Sequence, residues 1–432
     1  MMLSLRSFSC AVATTAAILC FAAPTRAADD LKITIEAGQH DRRQTPVSTV
    51  VELPQSWADQ QALRLAAADG RQFTAQLSEP ALLSNAPAAQ EGHIRRQLTI
   101  VIDELKAGQS LELAASKVPG KAAPAPKFAW RDTPGVFTEL SDGGKPVLRY
   151  MYRPLDESSS HARFETYKVF HHLYDPAGER IVTNGPTGEE PYSEKVRFPH
   201  HRGLFYGFNR ISYGDGKSAD TWHCRGKAYL SHDEFQQSEA GEVFGRHRLR
   251  IGWHGQEGEI FANETREMTA YRVGDAQLIE FASRLESAGG KIHVDGDPQH
   301  AGFQFRAHVE VAAQTSSQSY YVRTDGKGKP GETRNWSKGN DECENRPWNA
   351  LSFVLGDQRY TAVYLDRPQN PKPARYSERD YGRFGSYFFY DLDEAKPLDV
   401  NYRVWLQAGE LSADDAARLS ADFVDPPKVT VN

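Results

Sequence analysis

The stretch LKITI at residues 31–35 alternates apolar and polar side chains, which is the pattern of a half-buried β-strand. Similar short runs occupy residues 49–53 and 97–102. Clusters of Pro, Gly and Asn separate these runs at the spacing of a small all-β domain. We therefore predict a small N-terminal β-sandwich domain over residues 30–115.

The stretch that follows, residues 116–127, is rich in Pro, Ala and Lys and has no hydrophobic period, so we predict a linker. Residues 128–432 again consist of short apolar and aromatic runs separated by Asp-Gly and Gly-Gly turns. Only residues 412–422 have a helical pattern, with Ser412 as the N-cap and acids in the first turn. An all-β fold, with a large antiparallel sandwich and one short C-terminal helix, is the expected architecture.

Composition limits the classes of function. The chain has 432 residues, 39% of them hydrophobic, with 57 acidic and 51 basic side chains and a formal net charge of −6. This balance excludes a general attraction to nucleic acid or to anionic lipid. The sequence has neither a Gly-rich phosphate loop nor a dinucleotide fingerprint, so we expect no nucleotide cofactor.

The first 27 residues have the pattern of a secretory signal peptide. Arg6 precedes an apolar stretch at residues 9–23, and Thr25-Arg26-Ala27 resembles a small-x-Ala cleavage site. The apolar stretch is shorter than the ~20 residues of a membrane span, although a tethering helix is the alternative. We expect a periplasmic or secreted protein without membrane insertion after signal cleavage. An oxidising compartment would then permit a disulfide between Cys224 and Cys343, a pairing that the sequence leaves open.

Histidine placement is the most informative feature for chemistry. Twelve of the fourteen histidines lie between His161 and His308. Imidazole transfers protons near neutral pH and is a common metal ligand, so this clustering raises the odds of a site. The alternative for any one of them is a hydrogen-bonded structural role.

The densest group of candidates lies in FPHHRGLFYG, residues 198–207. Neighbouring strand residues point to opposite faces, so His200 and His201 are not expected to share one ligand. Gly203 would either allow a substrate to approach closely or permit a bulge. Nearby, Trp222 precedes His223 and would be either a stacking platform for a sugar ring or a core aromatic.

A further histidine group is HAGFQFRAH at residues 300–308. On a strand, His300, Gln304, Arg306 and His308 would share one face. Such a strand would line a cleft above an apolar core, or its polar face would simply be exposed to solvent.

The last candidate segment spans residues 366–382 and combines several Arg and Tyr side chains with Pro-rich loops. Arg binds carboxylates through paired hydrogen bonds, and a Tyr beside it can act as acid or base. A plain charged loop is the alternative. The candidates in this segment are Asn370, Arg375, Arg379 and Tyr381.

Several of these motifs together resemble one family. HLYDPAG (residues 172–178) looks like its "HPLYTPdG" element, and PHHRGL (residues 199–204) matches "PHHRGLW", with Phe205 replacing the usual Trp. Residues 220–223 are similar to a later segment ending in Trp, and residues 366–381 to "DHPxNPR…W…RDYG", with Arg367 where the family has His. This is the family of exported bacterial proteins labelled "methane oxygenase PmoA", and the resemblance covers roughly residues 128–411.

The resemblance implies a fold rather than the methane chemistry of the label. The membrane enzyme of that name must span a bilayer repeatedly, whereas this chain has no span after its signal. What the resemblance implies is a β-supersandwich over residues 128–432, similar to galactose mutarotase and several polysaccharide lyases, in a carbohydrate-degrading context. It carries over no catalytic residue.

We therefore expect an exported carbohydrate-active enzyme, a lyase or hydrolase that acts on a glycan or an oxidised sugar. A non-catalytic glycan-binding protein is the alternative. No cofactor is expected, although a divalent metal on His200, His201, His223 and His300 is a variant of the hypothesis. The expected catalytic residues are His201, His223, His300 and Tyr381, and the expected substrate-binding residues are Arg202, Trp222, Gln304, Arg306, Asn370, Arg375 and Arg379.

Overall fold

The protein is described by a computed structural model. It describes residues 31–118, 126–193, 195–297 and 299–432. The predicted signal segment, residues 1–27, and most of the predicted linker, residues 119–125, lie outside the described residues.

Antiparallel strands make up most of the described chain, which confirms the predicted all-β fold. The strands are β1 (Lys32–Glu36), β2 (Arg42–Pro54), β3 (Ala62–Ala67), β4 (Gln72–Ser78), β5 (His93–Leu105), β6 (Ser110–Lys117), β7 (Phe128–Thr133), β8 (Phe137–Asp142), β9 (Lys145–Met151), β10 (Phe170–Leu173), β11 (Leu204–Phe208), β12 (Arg210–Tyr213), β13 (Lys217–Ala219), β14 (Tyr229–Ala240), β15 (Phe244–His254), β16 (Ile260–Val273), β17 (Ala276–Ser287), β18 (Ile292–Asp295), β19 (Ala301–Arg306), β20 (Tyr320–Arg323), β21 (Gly326–Lys327), β22 (Trp348–Leu355), β23 (Gln358–Asp366), β24 (Arg375–Glu378), β25 (Arg383–Tyr387), β26 (Tyr390–Leu392), β27 (Leu398–Ala408) and β28 (Lys428–Val431).

The N-terminal strands form one seven-stranded sheet in the order β2-β5-β4-β3-β6-β1-β28. The alternation that predicted β1 is also seen in its burial, because Ile33 and Ile35 are buried while Lys32 is exposed. These side chains belong to a core of the sheet's own, together with Leu63 and Ile100. The last strand of the described chain, β28, completes this sheet by pairing with β1.

Two large sheets form the rest of the molecule and face each other across a common core. One has eight strands in the order β24-β25-β19-β11-β10-β9-β8-β7, and the other has nine in the order β14-β15-β16-β17-β27-β23-β22-β20-β21. Tyr206 from the first packs edge-on against Trp253 and Phe281 from the second, with ring centroids 5.6 Å apart in both pairs. A four-stranded sheet, β13-β12-β18-β26, flanks them.

The outer face of the eight-stranded sheet carries a different set of side chains. Leu204 and Tyr206 of β11 point into the common core, so Phe205 between them points outward. It contacts a small outer apolar group that includes Phe170 and Trp222. The functional candidates lie over this outer face.

Two α-helices are present in the described residues. The helix α2 (Ala413–Val424) has Ser412 as its N-cap, whose hydroxyl accepts a hydrogen bond from the backbone of Asp415 at 3.0 Å, as predicted. The helix α1 (Ser160–Thr166) was not predicted, since its seven residues show no helical hydrophobic period. Among the described residues, no helix is both long enough and apolar enough to cross a membrane.

Candidate functional site

Four of the predicted histidines come together on the outer face of the eight-stranded sheet. We call His200, His201, His223 and His300 the histidine cluster. The ring of His200 lies 4.2 Å from that of His201 and 4.6 Å from that of His223, measured between centroids. His300 lies 5.2 Å from His223 and 6.5 Å from His201. Loops from three separate parts of the chain thus meet over β11 and β19.

His223 is held by a carboxylate three residues before it. Its Nδ1 lies 2.8 Å from Oδ2 of Asp220, and its backbone N–H donates to Oδ1 of the same carboxylate at 2.8 Å. A carboxylate only accepts hydrogen bonds, so the ring must donate through Nδ1. In the neutral ring, the lone pair therefore lies on Nε2.

His300 is held in the same way. Its Nδ1 bonds to Oδ1 of Asp297, and the other oxygen of Asp297 accepts a hydrogen bond from the side chain of Asn209 at 3.0 Å. Burial lowers the pKa of His300, although the Asp297 carboxylate opposes this shift. Two Asp–His pairs with the same geometry therefore face each other, each leaving Nε2 unprotonated when neutral.

His201 is fixed from below by Trp222. The indole N–H of Trp222 donates to Nε2 of His201 at 3.2 Å. Both side chains are buried, and the ring of Tyr381 stacks parallel to that of His201 at 5.9 Å. Trp222 is completely buried, which corrects the expectation that it offers a surface for a sugar ring.

Two ring nitrogens of the cluster are buried without a partner in the described residues. They are Nε2 of His200 and Nδ1 of His201. Burial lowers the pKa of His200 to about 2, and it lowers the pKa of His201 well below its ordinary value. Buried polar atoms are normally satisfied, so unpaired nitrogens are consistent with a ligand-binding site.

Arginines lie beside the cluster on the strands below it. The guanidinium of Arg383 donates to the side chain of Gln304 at 3.0 Å and to the hydroxyl of Tyr381 at 3.4 Å. Arg306 donates to the backbone carbonyls of Tyr381 and Arg197. Arg379 is half-buried and also contacts Tyr381. The predicted residues Gln304, Arg306, Arg379 and Tyr381 are thus brought together with the histidine cluster.

The polar strand face of β19 is a buried one. Gln304 and Arg306 are completely buried, while Phe303 and Phe305 point into the common core. This excludes the solvent-exposed alternative for the segment, which would leave Gln304 and Arg306 accessible, and a cleft along this face stays a prediction.

The side chains of three predicted binding residues bond to other groups of the protein. Arg202 donates to the carbonyls of Phe164 and Glu165 at the end of α1, which ties that helix to the sheet. The side chain of Asn370 bonds to Asp366 and to the backbone of Asn401, where it orders a loop.

Arg375 also lies away from the cluster. Its guanidinium stacks on Trp336, 4.1 Å from the ring centroid, and pairs with Glu344 at 3.5 Å. Arg202, Asn370 and Arg375 thus bond to groups of the protein itself, and their binding of substrate stays a prediction.

Gly203 has a backbone role. Its φ is +51°, and a Cβ atom at this position would overlap the carbonyl oxygen of His171 on β10. Of the two alternatives for this glycine, close approach of a substrate and backbone geometry, the contacts favour the second.

Lys168 and Arg383 were not predicted, because neither belongs to a motif that stands out in the sequence. Lys168 is buried, and its ammonium donates to the carbonyls of Trp222 and His200. Burial lowers the pKa of Lys168 to about 8. The two aspartates Asp220 and Asp297 did have a signal, since each precedes its histidine by three residues.

A metal on the histidine cluster stays a prediction. Within the described ranges, no group of three or more His, Cys, Asp or Glu side chains has an arrangement suited to a metal ion. Nε2 of His201 is already engaged by Trp222.

Cys224 and Cys343 are both buried and unpaired.

A second pair of histidines lies between the two large sheets. Nε2 of His171 on β10 is 2.9 Å from Nε2 of His247 on β15, and Trp130 stacks on the His247 ring at 4.6 Å. Burial lowers the pKa of His247 to about 3 and that of His171 well below its ordinary value. The neutral forms of both rings are thus built into the core.

Acidification below pH 6.5 is expected to destabilise the fold through these buried rings. His171 and His247 each have a folded-state pKa below the unfolded value near 6.5, so protons bind preferentially to the unfolded chain. Above pH 6.5 these rings make their full contribution to the free energy of unfolding. Below pH 6.5 the free energy of unfolding falls by about 1.4 kcal/mol per pH unit for each ring. Urea unfolding between pH 7.5 and 4.5 measures the slope. The variant His247→Gln should make the pH dependence of the free energy of unfolding shallower. An unchanged slope would contradict the contribution of His247 to it.

The chain belongs to the family of unknown function DUF6807, whose model matches residues 138–421. The matched segment contains the whole histidine cluster. A search of curated proteins found no match.

Solved structures show distant similarity. A glycosyl hydrolase family 38 protein from Enterococcus faecalis is 8% identical with a TM-score of 0.41, covering 94% of this chain and 48% of that chain. A GH36 alpha-galactosidase from Geobacillus stearothermophilus is 11% identical with a TM-score of 0.30, covering 67% and 42%. A galactose mutarotase related enzyme from Lactobacillus acidophilus is 10% identical with a TM-score of 0.25, covering 56% and 94%. The chain spans about half the length of the first of these, and similarities this weak do not bear on activity.

Proposed function

We propose that the protein is an exported carbohydrate-active enzyme, a lyase or hydrolase that works by proton transfer at the histidine cluster. The observation that supports this is the pair of Asp–His units, Asp220–His223 and Asp297–His300, whose rings face each other at 5.2 Å. A carboxylate on Nδ1 fixes the tautomer and orientation of a ring and raises the basicity of Nε2.

In a lyase reaction, Nε2 of His223 or His300 would take the proton from the carbon next to the carboxylate of a sugar acid. The C–O bond to the leaving group then breaks as the carbon–carbon double bond forms. Tyr381 accepts a hydrogen bond from Arg383 through its hydroxyl oxygen, so its own proton remains available for the leaving oxygen. In a hydrolase reaction, the same Nε2 atom would activate a water molecule.

In this proposal His201 positions a catalytic group but does not itself transfer a proton. Its Nε2 is occupied by Trp222, and the ring lies between Phe205 and Tyr381. We therefore assign proton transfer to His223 and His300, with His201 as a positioning residue for Tyr381.

The test is a substrate screen with the purified protein. Uronic-acid polysaccharides and keto-sugar glycosides would be incubated while absorbance near 235 nm and reducing ends are followed together. A product that absorbs at 235 nm, lost in His223→Gln, is the expected result for a lyase. Reducing ends without that absorbance indicate a hydrolase. Glycan binding without any turnover would contradict the proposal and favour a binding protein.

A further inference from the structure

Buried arginines divide into two groups that differ in their partners. Nine arginine side chains are buried among the described residues. Six of them lie within salt-bridge distance of a buried or half-buried carboxylate: Arg42 with Asp422, Arg149 with Glu139, Arg246 with Glu239, Arg266 with Glu264, and Arg323 and Arg346 with Glu378. The other three, Arg202, Arg306 and Arg383, have no carboxylate partner in the described part of the chain.

All three unpaired arginines lie on or beside the strands under the histidine cluster. Arg306 ends β19, Arg383 begins β25, and Arg202 directly follows His201. Their hydrogen bonds go to neutral acceptors: backbone carbonyls, the amide of Gln304 and hydroxyl groups. The protein therefore balances its buried positive charge with carboxylates elsewhere and leaves it unbalanced at this site.

Two further cations enlarge the imbalance. Lys168 is buried and bonds only to carbonyls in the described residues. Arg379 is half-buried, and burial together with the neighbouring Arg383 lowers its pKa. Asp220 and Asp297, the acids that bond to the cluster, are already engaged with His223 and His300.

Unpaired buried charge is unfavourable, because desolvation is not offset by a nearby opposite charge. Burial lowers the pKa of Arg306 to about 10, which reports this cost at one of the residues. A protein tolerates such an arrangement where a ligand supplies the missing charge. Of the five cations, Arg379 is the one that is half-buried rather than buried, so it is placed to contact that ligand directly.

We infer that the ligand of this site is a sugar acid, whose carboxylate is bound by Arg379 in the positive field of Arg306 and Arg383. This inference rests on the proposed function, because it names the substrate class of the same site. A carboxylate fits better than a sulfate or phosphate ester, since it also acidifies the neighbouring C–H that an Asp–His pair would deprotonate.

Calorimetric titration at pH 7.5 would test it with two matched pairs of sugars, D-glucuronate against D-glucose and D-galacturonate against D-galactose. We expect at least one sugar acid to bind about tenfold or more tightly than its neutral partner, as for a hydrogen bond to a charged group. Its affinity should fall as NaCl is raised. Arg379→Gln should remove most of the preference.

Arg284→Gln is the matched control, since Arg284 pairs with Asp399 at 2.7 Å on another part of the molecule. It should keep the preference for the acid. Equal binding of acid and neutral sugars, or inorganic phosphate competing as well as the uronates, would overturn the inference even if a neutral glycan is turned over. Tight uronate binding without turnover of any uronate polymer would support the inference and contradict the proposed enzyme.

Discussion

Replacing His223 or His300 with Gln is expected to lower kcat/KM by a factor of about 10² to 10⁴, the usual contribution of general acid–base catalysis. Glutamine preserves much of the size of imidazole and can still bond to the aspartate, but it has no titratable nitrogen. Both side chains are partly accessible, 14% for His223 and 29% for His300, so the fold should tolerate the change. Steady-state kinetics on the substrate found in the screen, with thermal unfolding in parallel, would measure both effects.

The chain offers a matched control for these variants. His293 also bonds through Nδ1 to a carboxylate, that of Asp391 at 2.7 Å, but it lies on the four-stranded sheet. His293→Gln should leave kcat/KM unchanged. If it lowers activity as much as His223→Gln, or if neither variant has an effect, the Asp–His pairs are not the catalytic groups.

Glu378→Gln is expected to lower the free energy of unfolding by about 3–5 kcal/mol, the cost of leaving a buried charge uncompensated. The carboxylate of Glu378 is completely buried, and Arg323 and Arg346 both donate to it. It also accepts hydrogen bonds from the side chain of Asn349 at 3.0 Å and from the backbone of Arg334 at 2.8 Å. Removing its charge leaves the buried guanidinium of Arg346 unbalanced and leaves Arg323 with only the more distant carboxylate of Glu332, at 3.7 Å. Urea unfolding at pH 7.5 measures the loss.

Asp399→Asn provides the comparison for this prediction. Asp399 forms a similar pair with Arg284, but its side chain is 37% exposed. Water screens such pairs, so the loss should be about 1 kcal/mol or less. If Glu378→Gln and Asp399→Asn lower the free energy of unfolding equally, burial does not determine how much Glu378 contributes to stability.

Local patterns predicted the elements well because they report local burial. The alternation in residues 31–35 corresponds to β1, and the N-cap and acidic first turn at Ser412 correspond to the start of α2. The helix α1 escaped prediction because tertiary contacts, including Arg202 at its end, stabilise it rather than an apolar stripe.

The sequence predicted the histidines of the site better than its arginines. His200, His201, His223 and His300 stood out by clustering in the sequence, and the fold brings all four together. Which arginines join them depends on the paths of long loops and on charge pairing across sheets, neither of which local sequence determines. Arg375 was predicted to belong to the site and Arg383 was not, yet of these two side chains Arg383 is the one that lies under the cluster.

The pairing of β28 with β1 has a consequence for folding during synthesis. The first sheet contains strands from the beginning of the described chain and one from its end, so β1 lacks a partner along one edge until residues 428–431 have been synthesised. During that interval β1 exposes unpaired backbone groups, which can associate with other strands. The larger sandwich lies between these segments in sequence. The nascent N-terminal sheet would therefore need protection from aggregation while the larger sandwich is still being made.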